Sequence, residues 1–158
     1  MSLGYVTAEE ALSYVQQHYT SKDPQRFAWE ALSLEDQEAL LRKSLQCLET
    51  LPFTGRKSKP DQDLAFPRFP SESVPEAIKA AQIENALSLE DSSTVEDQQF
   101  YEKLWMYGVS SYSIGNLSES TSTGVYQADG AQASGIVSAV ARRLLQPFLR
   151  GGYRIWGG

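Results

Sequence analysis

Cysteine, histidine and long apolar runs are nearly missing from this chain of 158 residues. Cys47 is the single cysteine, so no disulfide can form within the chain. Its setting, SLQCLETL, is apolar and helical in pattern, and nothing nearby would lower the thiol pKa. A buried structural thiol is therefore expected. His18 is the single histidine. A catalytic dyad or a metal site built on it would need partners that the sequence does not display, so an exposed residue near a helix end is the plainer reading. No apolar run approaches the roughly 20 residues of a membrane span. MSLGYVTAEEALSYV lacks the basic and apolar regions of a signal peptide. Phosphate loops, EF-hand loops, nucleophile elbows and His/Cys metal spacings are also missing. Asp61 and Asp63 are of a type that suits a hard cation, but no metal, cofactor or enzymatic turnover is expected.

Acid is missing from one end. Residues 1–130 hold ten Lys/Arg and all twenty Asp/Glu, a net of −10. Residues 131–158 hold Arg142, Arg143, Arg150 and Arg154 and no acid, a net of +4, which leaves −6 overall. Such a body repels a phosphate backbone, while the tail attracts an acidic partner.

What is present reads as helix. TAEEALSYVQQHY opens with a capping box, Thr7 with Glu10, and Ala8, Leu12, Val15 and Tyr19 follow at helical spacing over 8–19. After a break around Pro24, FAWEAL suggests a short helix. Residues 34–51 give the strongest helix, capped by Ser33, with Leu34, Leu41, Leu45, Leu48 and Leu51 near one stripe. SVPEAIKAAQIENALSLE begins with Ser73 as the expected cap and Pro75 in the first turn, and turns Ile78, Ala81, Ala86 and Leu89 inward. Helices are also expected over 95–107 and 134–149. The Ser/Thr-rich stretch 109–133 reads as a short hairpin, turning at Gly115-Asn116, or as an extended loop. The fold class is therefore mainly α: a small bundle of four to five helices with long loops, a short β-hairpin and an extended C-terminal arm. One domain spans 1–150, and residues 151–158 form the arm.

Between two of these helices lies GRKSKPDQDLAFPR, within a loop spanning 52–72. Pro52, Pro60, Pro67 and Pro70 each fix a φ angle and make a long loop stiff. Leu64, Phe66 and Phe69 can pack it onto the helices. Arg56 and Arg68 carry forks suited to carboxylates, with Asp61 and Asp63 as local partners. A stapled inter-helix loop is favoured over a site of chemistry.

The order LPF-x-GRK-x-x-x-DQ-x-LAFPR, followed by a V-P-E-A-I-K-x-A-Q helix, resembles a family of small tailed-phage and prophage proteins, the head–tail connectors or head-completion adaptors. Gly55, Arg56, Asp61, Gln62, Leu64, Phe66, Pro67 and Arg68 carry the most specific part of the resemblance. YVTAEEALSYV, GNLSES and RRLLQPFL sit where that family has similar segments. The resemblance implies a structural virion protein at the head–tail interface. It would form a homo-oligomeric ring, typically a dodecamer, beneath the portal protein. The ring would extend the DNA channel, pass double-stranded DNA without gripping it, and offer a surface to a tail-side neck or tail-completion protein. A C-terminal arm would reach the portal, and Phe148, Arg150, Tyr153, Arg154, Ile155 and Trp156 are the residues placed there. RGGYRIWGG has the composition of such an arm: glycines for a swing, aromatic anchors and a cation.

Some relatives carry a label likening them to a primosomal single-strand DNA-binding protein, the DnaT-like label. Nonspecific strand binding needs a cationic groove interleaved with stacking aromatics. This body is net acidic, and its aromatics fall mostly on expected core faces. A single-stranded DNA-binding module is therefore ranked second to the connector.

Overall fold

The computed structural model describes residues 4–91, 96, 99–100, 111–114, 117–120 and 135–151. Among them are five α-helices and one short hairpin. α1 is Ala8–His18 and carries both halves of the capping box: the Thr7 hydroxyl accepts from the Glu10 N–H, and the Glu10 carboxylate accepts from the Thr7 N–H. α2 is Pro24–Ala31. Pro24 does not stop a helix; it occupies the first turn, where its missing N–H costs nothing. α3 is Leu34–Glu49, capped by Ser33, and α4 is Glu76–Glu90. The cap of α4 is Pro75 rather than the expected Ser73, and no side chain bonds to its end. Strands β1, Ser111–Ile114, and β2, Leu117–Ser120, pair antiparallel with Ile114 opposite Leu117. α5 is Ala139–Leu145, followed by a turn of 3₁₀ helix at Gln146–Phe148 that contains Pro147. Most of the expected helix at 95–107 and most of the 109–133 stretch lie outside the described residues; within the former, Glu96, Gln99 and Phe100 are helical.

α4 is the axis of the molecule. It packs on α1, α2, α3 and α5, and every residue from Ala81 to Leu87 is buried. A helix surrounded on all sides has no polar face to spare, so its buried polar residues must find partners. Gln82 does so completely. Its amide donates to the Leu41 carbonyl, and its Oε1 accepts the Tyr5 N–H at 3.2 Å. Glu84 accepts from the hydroxyls of Tyr14 at 2.8 Å and Tyr19 at 2.6 Å. Asn85 accepts the N–H of Val137 at 2.9 Å and donates toward the Gly135 carbonyl. This last residue explains why α5 starts later than the expected 134: residues 135–138 are held out of helix against α4, and Ser138 caps the helix instead.

Two apolar clusters flank this axis. One gathers Val15, Trp29, Leu41, Ile83 and Leu87. The other gathers Tyr5, Leu48, Phe53, Phe66, Ile78, Ile136 and Leu145. The inward stripe of α3 differs from the leucine stripe expected from sequence. Leu41 and Leu48 are buried as expected, but they alternate with Gln37 and Ser44, and Leu34 is 63% exposed. Ser44 is accepted inside because its hydroxyl donates to the Gln82 carbonyl at 2.7 Å, and Gln37 because its amide donates to the Trp29 carbonyl at 2.9 Å.

Candidate functional site

The loop between α3 and α4 is the most heavily braced part of the chain. It pairs twice in short antiparallel bridges, Phe53 with Leu149 and Lys57 with Arg68. The first is closed by Thr54 N–H to Phe148 O at 2.8 Å and Arg150 N–H to Pro52 O at 3.0 Å. The second is closed by Ser58 N–H to Pro67 O at 3.1 Å and Phe69 N–H to Arg56 O at 2.9 Å. Gly55 makes the bend between them with φ +77°, a conformation that side chains rarely adopt. The Phe66–Pro67 and Phe69–Pro70 peptides are both cis.

Two of the motif residues, Arg68 and Gln62, are internal fasteners, while Asp61 is exposed. Arg68 does not pair with Asp61 or Asp63. Its guanidinium donates to the carbonyls of Thr54 at 2.6 Å, Ala65 at 3.1 Å, Phe53 and Gly55. A planar fork with five donors can tie several carbonyls where one carboxylate would use only two positions. Gln62 works the same way: its amide donates to Leu64 O and Pro67 O, and its Oε1 accepts the Lys59 N–H. Lys57 donates to the carbonyls of Gln62 and Asp63. The ion pairs among the described residues lie elsewhere, at Arg26–Glu30, Arg42–Glu38 and Lys79–Glu76. Leu64 and Phe66 pack into the core as expected, with Phe66 edge-on to Phe53 at 4.8 Å, to Phe148 at 5.8 Å and to Tyr5 at 6.0 Å.

Below the loop, Glu49 fastens it to α3. One carboxylate oxygen accepts the Tyr5 hydroxyl, and the other accepts the Ala65 N–H at 2.9 Å. Burial, then the Glu49 carboxylate, push the Tyr5 hydroxyl well above the usual phenol range.

Among the exposed residues of the loop, Arg56 and Phe69 lie together. Phe69 does not pack onto the helices as the sequence suggested. It is 58% exposed, and the guanidinium carbon of Arg56 sits 4.4 Å from its ring centroid. No described carboxylate pairs with Arg56. Beside this pair lies a cleft of about 270 Å³ bordered by Thr54, Gly55, Phe66, Arg68, Phe69, Ser71, Pro75 and Phe148. Phe69 is thus an exception to the expectation that the aromatics fall mostly on core faces. The signal was available: Phe69 stands between Arg68 and Pro70, three residues after a Phe66 that already fills the inward position.

The other residues named from sequence are placed as follows. Phe148 is folded into the body against Phe66, and Arg150 is exposed but tied by its N–H to Pro52. Tyr153, Arg154, Ile155 and Trp156 lie outside the described residues. Arg142 is buried, donating to Val137 O at 2.9 Å, so it adds little to the surface charge of the tail. Cys47 is half-buried, with its thiol pushed up by burial, and a Cβ at Gly135 would meet its Sγ at 2.6 Å. His18 is exposed and stacks on Tyr14 with ring centroids 3.9 Å apart. No group of His, Cys, Asp or Glu among the described residues is arranged to hold a metal ion, and no described helix is long and apolar enough to cross a membrane.

A second concavity, of about 750 Å³, runs between α1, α4 and α5. It mixes apolar residues, Ile83, Val140 and Leu144, with Glu10, Glu76 and Lys79. It carries no unpaired cation, because Lys79 bonds to Glu76 at 3.3 Å.

Compared with known families, residues 4–156 match the family described as "Putative DnaT-like ssDNA binding protein". No curated protein matches the chain, and no solved structure does.

Proposed function

The chain belongs to this DnaT-like family, and from that premise we propose that it binds single-stranded DNA through the loop surface formed by Arg56 and Phe69. The observation that carries the reading is a guanidinium, paired with no described carboxylate, lying over a largely exposed aromatic ring on a rigid loop. Strand-binding proteins combine those two elements, a cation for the backbone and an aromatic face for bases. The bracing matters as much as the pair. A platform held by Arg68, Gln62 and two backbone bridges loses little entropy when a strand settles on it.

The charge of the protein sets the character of the binding. With a net of −6 the chain repels a polyanion beyond the immediate site. Binding is local, involves few phosphates and has a shallow salt dependence, about −0.7 in log–log slope for each phosphate neutralised. The test is anisotropy of a labelled oligothymidylate, titrated with the intact protein and with Arg56→Ala across salt. Arg56→Ala removes only an exposed cation–π contact worth about 0.5–1 kcal/mol, so it leaves the fold intact. Weaker binding with a reduced slope supports the reading. An unchanged isotherm, or no binding by the intact protein at low salt, rejects it.

A second reading is the ring-forming head–tail connector beneath a portal. It is supported by the way the C-terminal segment is rooted: Leu149 bridges Phe53 and Arg150 bonds to Pro52, so a partner grasping Tyr153, Arg154, Ile155 and Trp156 would act on a braced point of the core. The acidic surplus also suits a conduit that must not trap its cargo. This reading expects portal docking that is lost when residues 151–158 are deleted. A truncated chain that docks as tightly as the intact one would remove it.

A further inference from the structure

We infer that the cleft beside Phe69 is a pocket for one unpaired nucleobase, so that the site reads the base and not only the phosphate. The inference rests on the single-strand-binding reading and deepens it. Arg56 covers one face of the Phe69 ring, and the residue is still 58% exposed and borders the cleft, so ring surface remains open for stacking. The cleft that Phe69 borders measures about 270 Å³, just under the ~300–1,000 Å³ of pockets for drug-sized ligands. That volume admits one ring system; a base pair inside a duplex, with its stacked neighbours, does not fit.

The walls suit a base. Phe66 and Phe148 are apolar and Pro75 is rigid, while Thr54 and Ser71 also border the cleft, their hydroxyls bonded to the carbonyls of Phe148 and Ser73. Arg68 also borders the cleft, but its donors are already bound to backbone carbonyls. It therefore shapes the wall and does not serve as the anion site. That role falls to Arg56, whose guanidinium has no described carboxylate to neutralise it. A nucleotide with its base on Phe69 would bring its phosphate to the cation that lies over the same ring. A duplex cannot offer both groups without flipping a base out of its stack, which costs several kcal/mol, so the site discriminates single strand from duplex by geometry.

The experiment compares an oligothymidylate with an abasic strand of equal length, which keeps the phosphates and lacks the bases. The intact protein is expected to bind the abasic strand about tenfold more weakly, the loss of one stacked base. Phe69→Ala should bring oligothymidylate binding down to the abasic level without changing the salt slope, and Phe69→Trp should restore it. Arg56→Ala should weaken both strands alike. Equal affinity of the intact protein for both strands, with Arg56→Ala still weakening both, overturns the base pocket and leaves strand binding standing. Phe69→Ala that binds oligothymidylate as tightly as the intact chain also overturns it. Binding of neither strand removes both proposals at once.

Discussion

The hydroxyl of Tyr5 donates to the carboxylate of Glu49, a residue 44 positions away at the far end of α3. That carboxylate also accepts the Ala65 N–H, and the Tyr5 hydroxyl accepts the Phe66 N–H at 3.3 Å. One small network thus joins the N-terminal segment, α3 and the loop. Removing the hydroxyl leaves Glu49 half-satisfied in a sheltered place. Tyr5→Phe is expected to lower the unfolding free energy by about 1–3 kcal/mol. Urea denaturation followed by circular dichroism checks this.

The same tyrosine gives a pH dependence. Tyr5, Tyr14 and Tyr19 are all raised above the ordinary phenol value, by burial first and then by Glu49 or Glu84. A raised folded pKa means that the unfolded chain loses its protons first. The stabilisation is complete below the unfolded value of about 10 and drains away as pH rises beyond it toward the folded value. Melting temperature should therefore fall steeply above about pH 10. Tyr5→Phe should flatten part of that fall, because the substitution removes one of the three linked protons.

Arg68 spans four carbonyls. Arg68→Ala is expected to cost about 2–3 kcal/mol, since those acceptors lose a charged donor. Arg68→Lys should recover less than half of this, because an ammonium has no planar fork to distribute. Hydrogen exchange should show the loss as faster exchange of the Phe69 and Ser58 N–H groups, which close the Lys57–Arg68 bridge.

Gly135 has φ +65°, and a Cβ there would lie 2.6 Å from Cys47 Sγ. Gly135→Ala meets two separate penalties, the backbone conformation and the clash, and should destabilise by about 2–4 kcal/mol. Cys47→Ala in the same chain should relieve the clash alone. A double-mutant cycle is expected to show positive coupling of about 1 kcal/mol, with the backbone penalty remaining. Strict additivity would mean that the thiol simply swings aside.

Asn85 holds residues 135–138 to α4 through Val137 and Gly135. Asn85→Leu keeps the branching of the side chain but removes the acceptor of the Val137 and Ser138 N–H groups, at a cost of about 1–3 kcal/mol. The opening should be local, with α5 amides losing protection before those of α3. Equal loss of protection in both helices would show that α5 is not docked through this residue.

Much of the helical framework was legible before any coordinates. Thr7 and Glu10, and Ser33 ahead of its leucines, announce helix starts by chemistry that acts over three residues. The errors came where long-range partners decide. Leu34 was placed inward by periodicity, yet the true stripe runs through Gln37 and Ser44, which are tolerable only because Trp29 and Gln82 offer carbonyls. Arg68 looks like a carboxylate fork because Asp61 and Asp63 are near in sequence. It serves backbone oxygens that come together only when the loop closes. Phe69 was assigned to the core because apolar residues usually are, but Phe66 already occupies that direction. The Arg56–Phe69 pair depends on a bridge between residues 57 and 68, and no local pattern encodes it.

That Phe53–Leu149 sits next door to the Lys57–Arg68 ladder has a consequence for any molecule that docks at either end. The root of the C-terminal peptide and the platform bearing Phe69 hang from a single short ribbon of chain. Tension or ordering applied at one has only a few backbone bonds to cross before it reaches the other. Thermodynamic reciprocity then requires that whatever a ligand on the platform does to the grip of a partner on the tail, the partner does in equal measure to the ligand. Two occupants of this small protein would each report on the presence of the other.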